Sequence, residues 1–460
     1  MSNETMDAAV SKEGVFGWYK DINSKQWKAF VAAFLGWTLD AMDLLLFAFA
    51  VESLTHPQVF ALSRAEVGLL FTVTLVASGA GGVLFGVISD YIGRVRALTY
   101  TILIYSIFTG LSGFAPTVTV LLIFRIFLGL GMGGEWASGE VLVAETWPDK
   151  HRAKGVGLVQ SGWGVGYILA ACLATVILGY VFVEGTTWDV PFFGEMDGIN
   201  LGWRVLFIVG VLPAFLVLYI RRHLDEPEIW KQAISMKKEG KLGEGRSGFT
   251  LGQIFSGDLI RYTITSVVLT SFCMLAYWGL YFWMPGFIAT PVEQGGVGLG
   301  TKGFAWIIPI NVGAVLGCNT FGWVADRIGR KPVFAGYLIA TAILVFIFGY
   351  ITELADFFGI SRLAAFLIVG PFLGFFGTGF YSGFGALFAE VFPTRARGTA
   401  QGFCYNVGRV IGALAPPLAG YVADVTGSFG PAFLMLSLFA LVAAATILTY
   451  PETRGKKLDI

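Results

Sequence analysis

Charge is scarce in this chain of 460 residues: 13% of them are charged, 55% are hydrophobic, and the mean hydropathy is +0.71. Soluble domains carry about 25% charged residues, so this composition cannot cover the surfaces that soluble domains of this total length would expose. The 31 basic residues balance the 31 acidic ones, which excludes an overall basic footprint for nucleic acid. The four cysteines, Cys172, Cys273, Cys318 and Cys404, lie far apart inside apolar stretches. They show no zinc-type spacing and imply no disulfide scaffold. The first 27 residues are polar and lack an apolar core, so no cleavable signal peptide is expected. No paired nucleophile and base, metal-ligand set or phosphate loop is found, so neither an enzyme nor a metal or cofactor site is expected.

What the chain has instead is apolar length. Segments long enough to cross a bilayer lie near 28–51, 66–89, 97–114, 117–142, 155–183 and 203–220. A second set lies near 262–288, 303–325, 332–351, 363–389, 399–422 and 431–450. The reading is an all-α polytopic membrane protein with twelve spans. The 61 glycines suit it, because small residues let helices approach closely in lipid. Of the 31 Lys and Arg residues, the loops on one side hold only Arg64, Arg204, Lys302 and Arg362, while Arg125 and Arg409 fall inside spans. The other 25 cluster on the opposite side with both termini, which the positive-inside rule places in the cytoplasm. A multi-pass protein of the cell (inner or plasma) membrane follows. The expected organisation is a cytoplasmic segment 1–27, a six-helix bundle 28–220, a cytoplasmic linker 221–261, a second bundle 262–450 and a tail 451–460. The linker mixes eight basic with six acidic residues and reads as a solvated connector.

The two halves repeat each other. Gly86-Val-Ile-Ser-Asp90-Tyr-Ile-Gly93-Arg94 returns as Gly322-Trp-Val-Ala-Asp326-Arg-Ile-Gly329-Arg330, both G-x-x-x-D-x-x-G-R and 236 residues apart. Ala144-Glu145-Thr-Trp-Pro148 with Arg152 returns as Ala389-Glu390-Val-Phe-Pro393 with Arg397, 245 residues on. The drift of nine residues fits a longer external loop between spans nine and ten. A repeated six-helix unit points to two bundles around a central path.

At these motifs the chain resembles the major facilitator superfamily over nearly all of its length. The closing Pro451-Glu452-Thr453-Arg454-Gly455 is similar to the tail of the sugar-porter branch. Trp18-Tyr19-Lys20, Gln26-Trp27-Lys28-Ala29-Phe30, Leu39-Asp40-Ala41-Met42-Asp43 and the run from Arg125 to Trp136 resemble the sialate:proton symporter group. That group includes sialic acid and lactate permeases. The D-x-x-D of span one also resembles aromatic-acid and phosphate symporters, although Ala41 stands where those carry glycine. The 221–261 linker is too short and too polar for the two extra spans of bacterial sialate permeases, which favours a smaller carboxylate. The resemblance implies two bundles related by a pseudo-two-fold axis, and proton-coupled transport by a monomer.

Ionisable side chains at mid-bilayer are costly and functional by default. Asp40 and Asp43, about 60° apart around span one, share a face. Two carboxylates so close cannot easily both be ionised, so one holds a proton. Glu135 occupies a position similar to the acid of phosphate/proton symporters and completes the proton-coupling set. Each acid could instead be satisfied by neighbouring helices, and Glu140 is given only a supporting role. Arg409, with Tyr405 and Asn406 on much the same face, is the candidate for gripping a substrate carboxylate. An interhelical salt bridge is its alternative, and Arg125 in span four is a second source of countercharge. Gln160, Trp278, Tyr281 and Asn311 are further candidate substrate contacts, though the aromatic ones equally suit packing. No histidine can move the proton, since His56 reads as external and His151 and His223 as cytoplasmic. Asp90, Arg94, Glu145, Arg152, Asp326, Arg330, Glu390 and Arg397 read as gating ion pairs that form when the cytoplasmic side closes.

The expected function is proton-coupled symport of a small organic carboxylate by alternating access: a lactate- or pyruvate-like monocarboxylate, an aromatic acid or a sialate. Its partners are that substrate, protons and the lipid bilayer, with no nucleic acid. An uncharged sugar substrate and a non-transporting ligand sensor are the alternatives.

Overall fold

The computed structural model describes residues 17–62, 64–182, 185–190, 194–239, 250–257, 259–289, 304–456 and 458. Lys302 and the first residue of the eighth expected span, 303, lie outside the described residues, as do residues 1–16. Helix dominates. The first half contains α1 (Ser24–Thr55), α2 (Arg64–Ile92), α3 (Arg94–Ser112), α4 (Val118–Thr146), α5 (Arg152–Ala174), α6 (Gly198–Val209) and α7 (Leu216–His223). A linker helix α8 (Glu228–Lys238) and a single turn at Thr250–Gln253 follow. The second half contains α9 (Leu259–Ala289), α10 (Phe304–Ile328), α11 (Arg330–Gly349), α12 (Ile351–Phe358), α13 (Arg362–Gly379), α14 (Ser382–Val391), α15 (Arg397–Gly412), α16 (Ala415–Thr426) and α17 (Phe429–Ile447).

Among the described residues, eleven helical segments are long and apolar enough to cross a membrane, against twelve expected. The difference is the expected span 399–422, which is split into α15 and α16 at Ala413–Leu414. Pro416 and Pro417 have no N–H for the carbonyls of Gly412 and Ala413, so the helix is interrupted there. The region between the ninth and tenth spans, expected as a loop, holds α12. A two-stranded antiparallel hairpin, β1 (Thr187–Val190) with β2 (Gly194–Asp197), precedes α6 and was not expected.

Polar residues at the helix starts explain where the apolar runs begin. Asn23 and Gln26 form a capping box at α1, and Thr117, Ser361 and Ser428 cap α4, α13 and α17. The repeated Gly-Arg pairs begin α3 and α11. Gly93 and Gly329 have φ of +111° and +112°, a region that side chains disfavour. Neither glycine offers a side-chain cap, so a distant carboxylate serves. Glu226 accepts from the N–H groups of Val95 and Arg96 at 3.1 Å, and Glu452 accepts from those of Arg330 at 2.9 Å and Lys331 at 3.2 Å.

Two buried clusters lie within the first half, around Leu46, Phe47 and Trp203 and around Leu98, Tyr105 and Leu128. Another lies within the second half around Phe287, Phe348 and Phe433. The largest draws on both halves and surrounds Trp136, Tyr381, Phe384 and Tyr405. The halves meet along α2 with α15 and α5 with α10. A Cβ on Gly82 would strike Asn406, one on Gly402 the carbonyl of Gly82, and one on Gly322 the carbonyl of Ala153. The seam at the end bearing the repeated loop motifs is therefore tightly packed, with backbone against backbone at Gly402 and Gly322.

Candidate functional site

At this motif end the ion pairs exchange partners between the halves. Asp90 pairs with Arg94 at 3.0 Å and accepts hydrogen bonds from the backbone of Gly398 and Thr399 and from the Thr399 hydroxyl, at 2.7–3.1 Å. It thus caps the N-terminus of α15 in the other half. Asp326 does the same in reverse: it pairs with Arg330 at 2.9 Å and accepts from the Lys154 N–H and ammonium at 3.2 and 3.0 Å. Glu145 holds Arg94 at 3.0 Å and Arg397 of the second half at 2.6 Å. Glu390 holds Arg330 at 2.9 Å and Arg152 of the first half at 3.1 Å. Sequence proximity had grouped Glu145 with Arg152 and Glu390 with Arg397; the folded chain crosses them. Lys154, Thr399 and Thr453, whose hydroxyl donates to Glu390 at 2.7 Å, join the network. All three were missed, because their partners lie in distant segments.

Midway along the helices is a cavity of about 20 Å³ between the halves, lined by Trp37, Gln160, Trp163, Met274, Tyr277, Trp278, Thr378, Tyr381, Tyr405 and Arg409. That space holds little more than one water. Trp136 stacks on Tyr405 with centroids 3.6 Å apart and donates to Gln160 at 3.1 Å. Arg409 donates to the Ser78 hydroxyl at 2.6 Å, lies 5.2 Å from the Tyr405 ring centroid, and keeps an Nε with no partner among the described residues. Arg409 makes no ion pair there, so the cation that lines the cavity is not consumed by an acid of α1. Four of the eight sequence-derived substrate candidates line this cavity: Gln160, Trp278, Tyr405 and Arg409. Tyr281 is turned to the Thr378 hydroxyl at 3.0 Å. Asn406 donates to the Gly402 carbonyl at 2.9 Å and packs on Gly82 of α2. Asn311 sits where α10 passes Gly164 of α5. Arg125 is buried apart from the cavity, its guanidinium 4.4 and 4.5 Å from the rings of Phe47 and Phe207. Trp37, Trp163 and Tyr381 were not anticipated; in a chain with 13 tryptophans and 16 tyrosines, spacing alone does not separate lining from packing.

The acids lie beside this cavity. Asp40 and Asp43 are buried, and each keeps one carboxyl oxygen unpartnered among the described residues. Asp43 accepts from Thr109 at 3.0 Å. Arg409 is the cation that acts electrostatically on Asp40, and Arg125 the one that acts on Asp43. Glu135 is buried, pressed against Gly36 of α1, and within electrostatic reach of Asp40. Among the described residues, no group of three or more His, Cys, Asp or Glu residues could hold a metal ion.

Membrane-spanning helices, a seam closed by charge at one end and a ring-lined cavity with one cation in its wall at the centre are the features of a multi-pass membrane transporter. The chain belongs to the sugar (and other) transporter family of the major facilitator superfamily, whose family model matches residues 24–460. It is 31% identical to the cis,cis-muconate transport protein of Acinetobacter baylyi over 90% of this chain and 92% of that one. It is also 31% identical to the sialic acid transporter NanX of Escherichia coli, over 94% of both. Among solved structures, the proton:xylose symporter XylE bound to 6-bromo-6-deoxy-D-glucose superimposes with a TM-score of 0.75 at 20% identity, covering 95% of this chain and 98% of that one. Membership and fold make the protein a transporter, not an enzyme.

Proposed function

We propose that the chain is a proton-coupled symporter carrying a small organic carboxylate by alternating access. It works as a monomer in the cell membrane, with twelve spans and both termini in the cytoplasm. Bundles 28–220 and 262–450 rock about the central cavity, and 221–261 links them on the cytoplasmic side. The motif end is then cytoplasmic, and its crossed ion pairs hold the outward-facing state. The observation that carries the reading is Arg409: a guanidinium in the cavity wall that makes no ion pair among the described residues, with Gln160 and Tyr405 beside it. Relatives named for cis,cis-muconate and sialic acid, both carboxylates, support the same chemistry.

The placement of the acids supports proton coupling. Asp40 lies within electrostatic reach of both Arg409 and Glu135, so an anion arriving at Arg409 withdraws the countercharge from Asp40 and favours its protonation. Substrate and proton thereby load together. The ring-lined cavity, at about 20 Å³, is too small for such a substrate, so the halves must part to admit it.

The test is a ligand panel of lactate, pyruvate, benzoates, muconate, sialate and hexoses, read by thermal stabilisation of wild type and two Arg409 variants. Arg409→Lys keeps the charge and loses the fork, so carboxylate affinity should fall by about 10- to 150-fold, the worth of a charge-assisted hydrogen bond. Arg409→Gln should fold and lose nearly all carboxylate binding. A folded Arg409→Gln protein with unchanged affinity would refute the assignment.

A further inference from the structure

The reading above leaves Glu140 without a part. Its side chain is 1% exposed, and neither carboxyl oxygen has a hydrogen-bond partner among the described residues. Five residues after Glu135 and five before Glu145, it lies about 7.5 Å from each along α4. That puts it between the acids of the cavity and the ion-pair layer. It faces across the seam: a Cβ added to Gly385 of α14 would collide with its Oε2 and press on Val156 of α5. Gln401 of α15 donates to the Gly385 carbonyl at 3.2 Å and keeps a buried Oε1 with no partner among the described residues.

Among the described residues, the titratable groups that interact with Glu140 are Glu135 on its own helix, Cys318 on α10 and Tyr405 on α15. α14 and α5 face it with Gly385 and Val156, which do not titrate. No cation acts on it among the described residues. A buried carboxylate with no countercharge and no protein hydrogen-bond donor is strongly disfavoured. The closed seam therefore holds the neutral acid.

We propose that Glu140 is a further proton site, neutral while the motif end is closed and ionised once that seam opens to water. On opening, the acid's O–H bond breaks and its proton passes to a water molecule, leaving a hydrated carboxylate and a hydronium ion. Closing requires the proton back, from that water or from Glu135. Deprotonation and opening thus form one linked equilibrium, and rising pH favours the open seam. The open-to-closed ratio gains up to about tenfold per pH unit, the limit for linkage to one proton. The inference rests on alternating access and is independent of the substrate.

Spin labels at the exposed positions Arg96 and Arg261, one in each half, measure the separation of the motif ends. The experiment uses the full chain in nanodiscs without substrate, with Cys172→Ser removing the exposed thiol. Wild type should shift toward longer distances as pH rises. Glu140→Gln, neutral at every pH and of similar shape, should stay closed, with its pH dependence cut to less than threefold per unit. Glu140→Met supplies a second neutral side chain should glutamine impair folding. A wild-type distribution that does not move with pH overturns the proposal, as does one that moves equally in the neutral variants. Intact pH-driven opening alongside a failed ligand panel would remove the carboxylate reading alone.

Discussion

Neutralising Glu390 separates what the ion-pair layer does for folding from what it does for gating. Its Oε1 accepts from Arg152 at 3.1 Å and from Arg330 at 2.9 Å, and its Oε2 from Arg330 at 3.2 Å and from Thr453 at 2.7 Å. Removing one partner from a buried pair costs about 3–5 kcal/mol, mostly because the remaining charge is left unpaired. Arg330 and Thr453 belong to the same half as Glu390, so their share of that loss persists whether the seam is open or closed. It should appear as a lower Tm. Only the bond to Arg152 crosses the seam. A hydrogen bond to a charged group is worth about 1.5–3 kcal/mol, so Glu390→Gln should raise the open-to-closed ratio by about 10- to 150-fold at constant pH. The Arg96–Arg261 label pair reads the ratio, and a thermal melt in the same nanodiscs reads the stability. A melt that falls while the ratio stays within threefold of wild type would sink the gating argument and leave a purely structural role.

Three further outcomes are expected. If Asp40, Asp43 or Glu135 carries the coupled proton, then Asp40→Asn, Asp43→Asn or Glu135→Gln should abolish uphill uptake driven by an inward proton gradient while counterflow exchange of labelled substrate survives; full uphill uptake in all three would exclude them. Ser78→Ala removes the 2.6 Å partner of Arg409 and should weaken carboxylate binding by about 2- to 10-fold, the worth of roughly one hydrogen bond, with the melt nearly unchanged. The segment Gly17–Asp21 docks through Asp21, whose carboxyl is held below its ordinary value of 3.8 by hydrogen bonds from Lys150 and then His151. A depressed carboxylate contributes its stability above the unfolded value and loses it as pH falls through the folded one. Trp18 fluorescence should therefore stay constant from neutral pH to about pH 4 and change only in stronger acid, unless Asp21→Asn has already released the segment.

Apolar runs and repeats are local signals, which is why the spans and both copies of the loop motif could be read directly. Asp40, Asp43 and Glu135 also stood out, because a carboxyl in an apolar run has few structural excuses. The pairing at the motif end was not legible. Arg152 lies seven residues from Glu145 yet bonds Glu390, 238 residues away; only the packing of α5 on α10 and of α2 on α15 decides that. Helical spacing likewise joined Asn406 to Arg409, but a shift of one position turns Asn406 to the seam while Tyr405 and Arg409 face the cavity. The interruption before α16 was visible as Pro416–Pro417, though hydropathy alone carried the span straight through it.

The bare-backbone seam also bears on speed. Where Gly82 and Gly86 meet Gly402, and Gly157 meets Gly322, backbone approaches backbone, and only a few polar side chains such as Asn406 and Asp90 reach across the joint. On the alternating-access reading, parting it would unpack few rotamers, so the two faces could separate with little repacking. If the halves do alternate, the resistance to parting lies mainly in the charged contacts, and substitutions among them should alter turnover rate more than substitutions along the glycine faces.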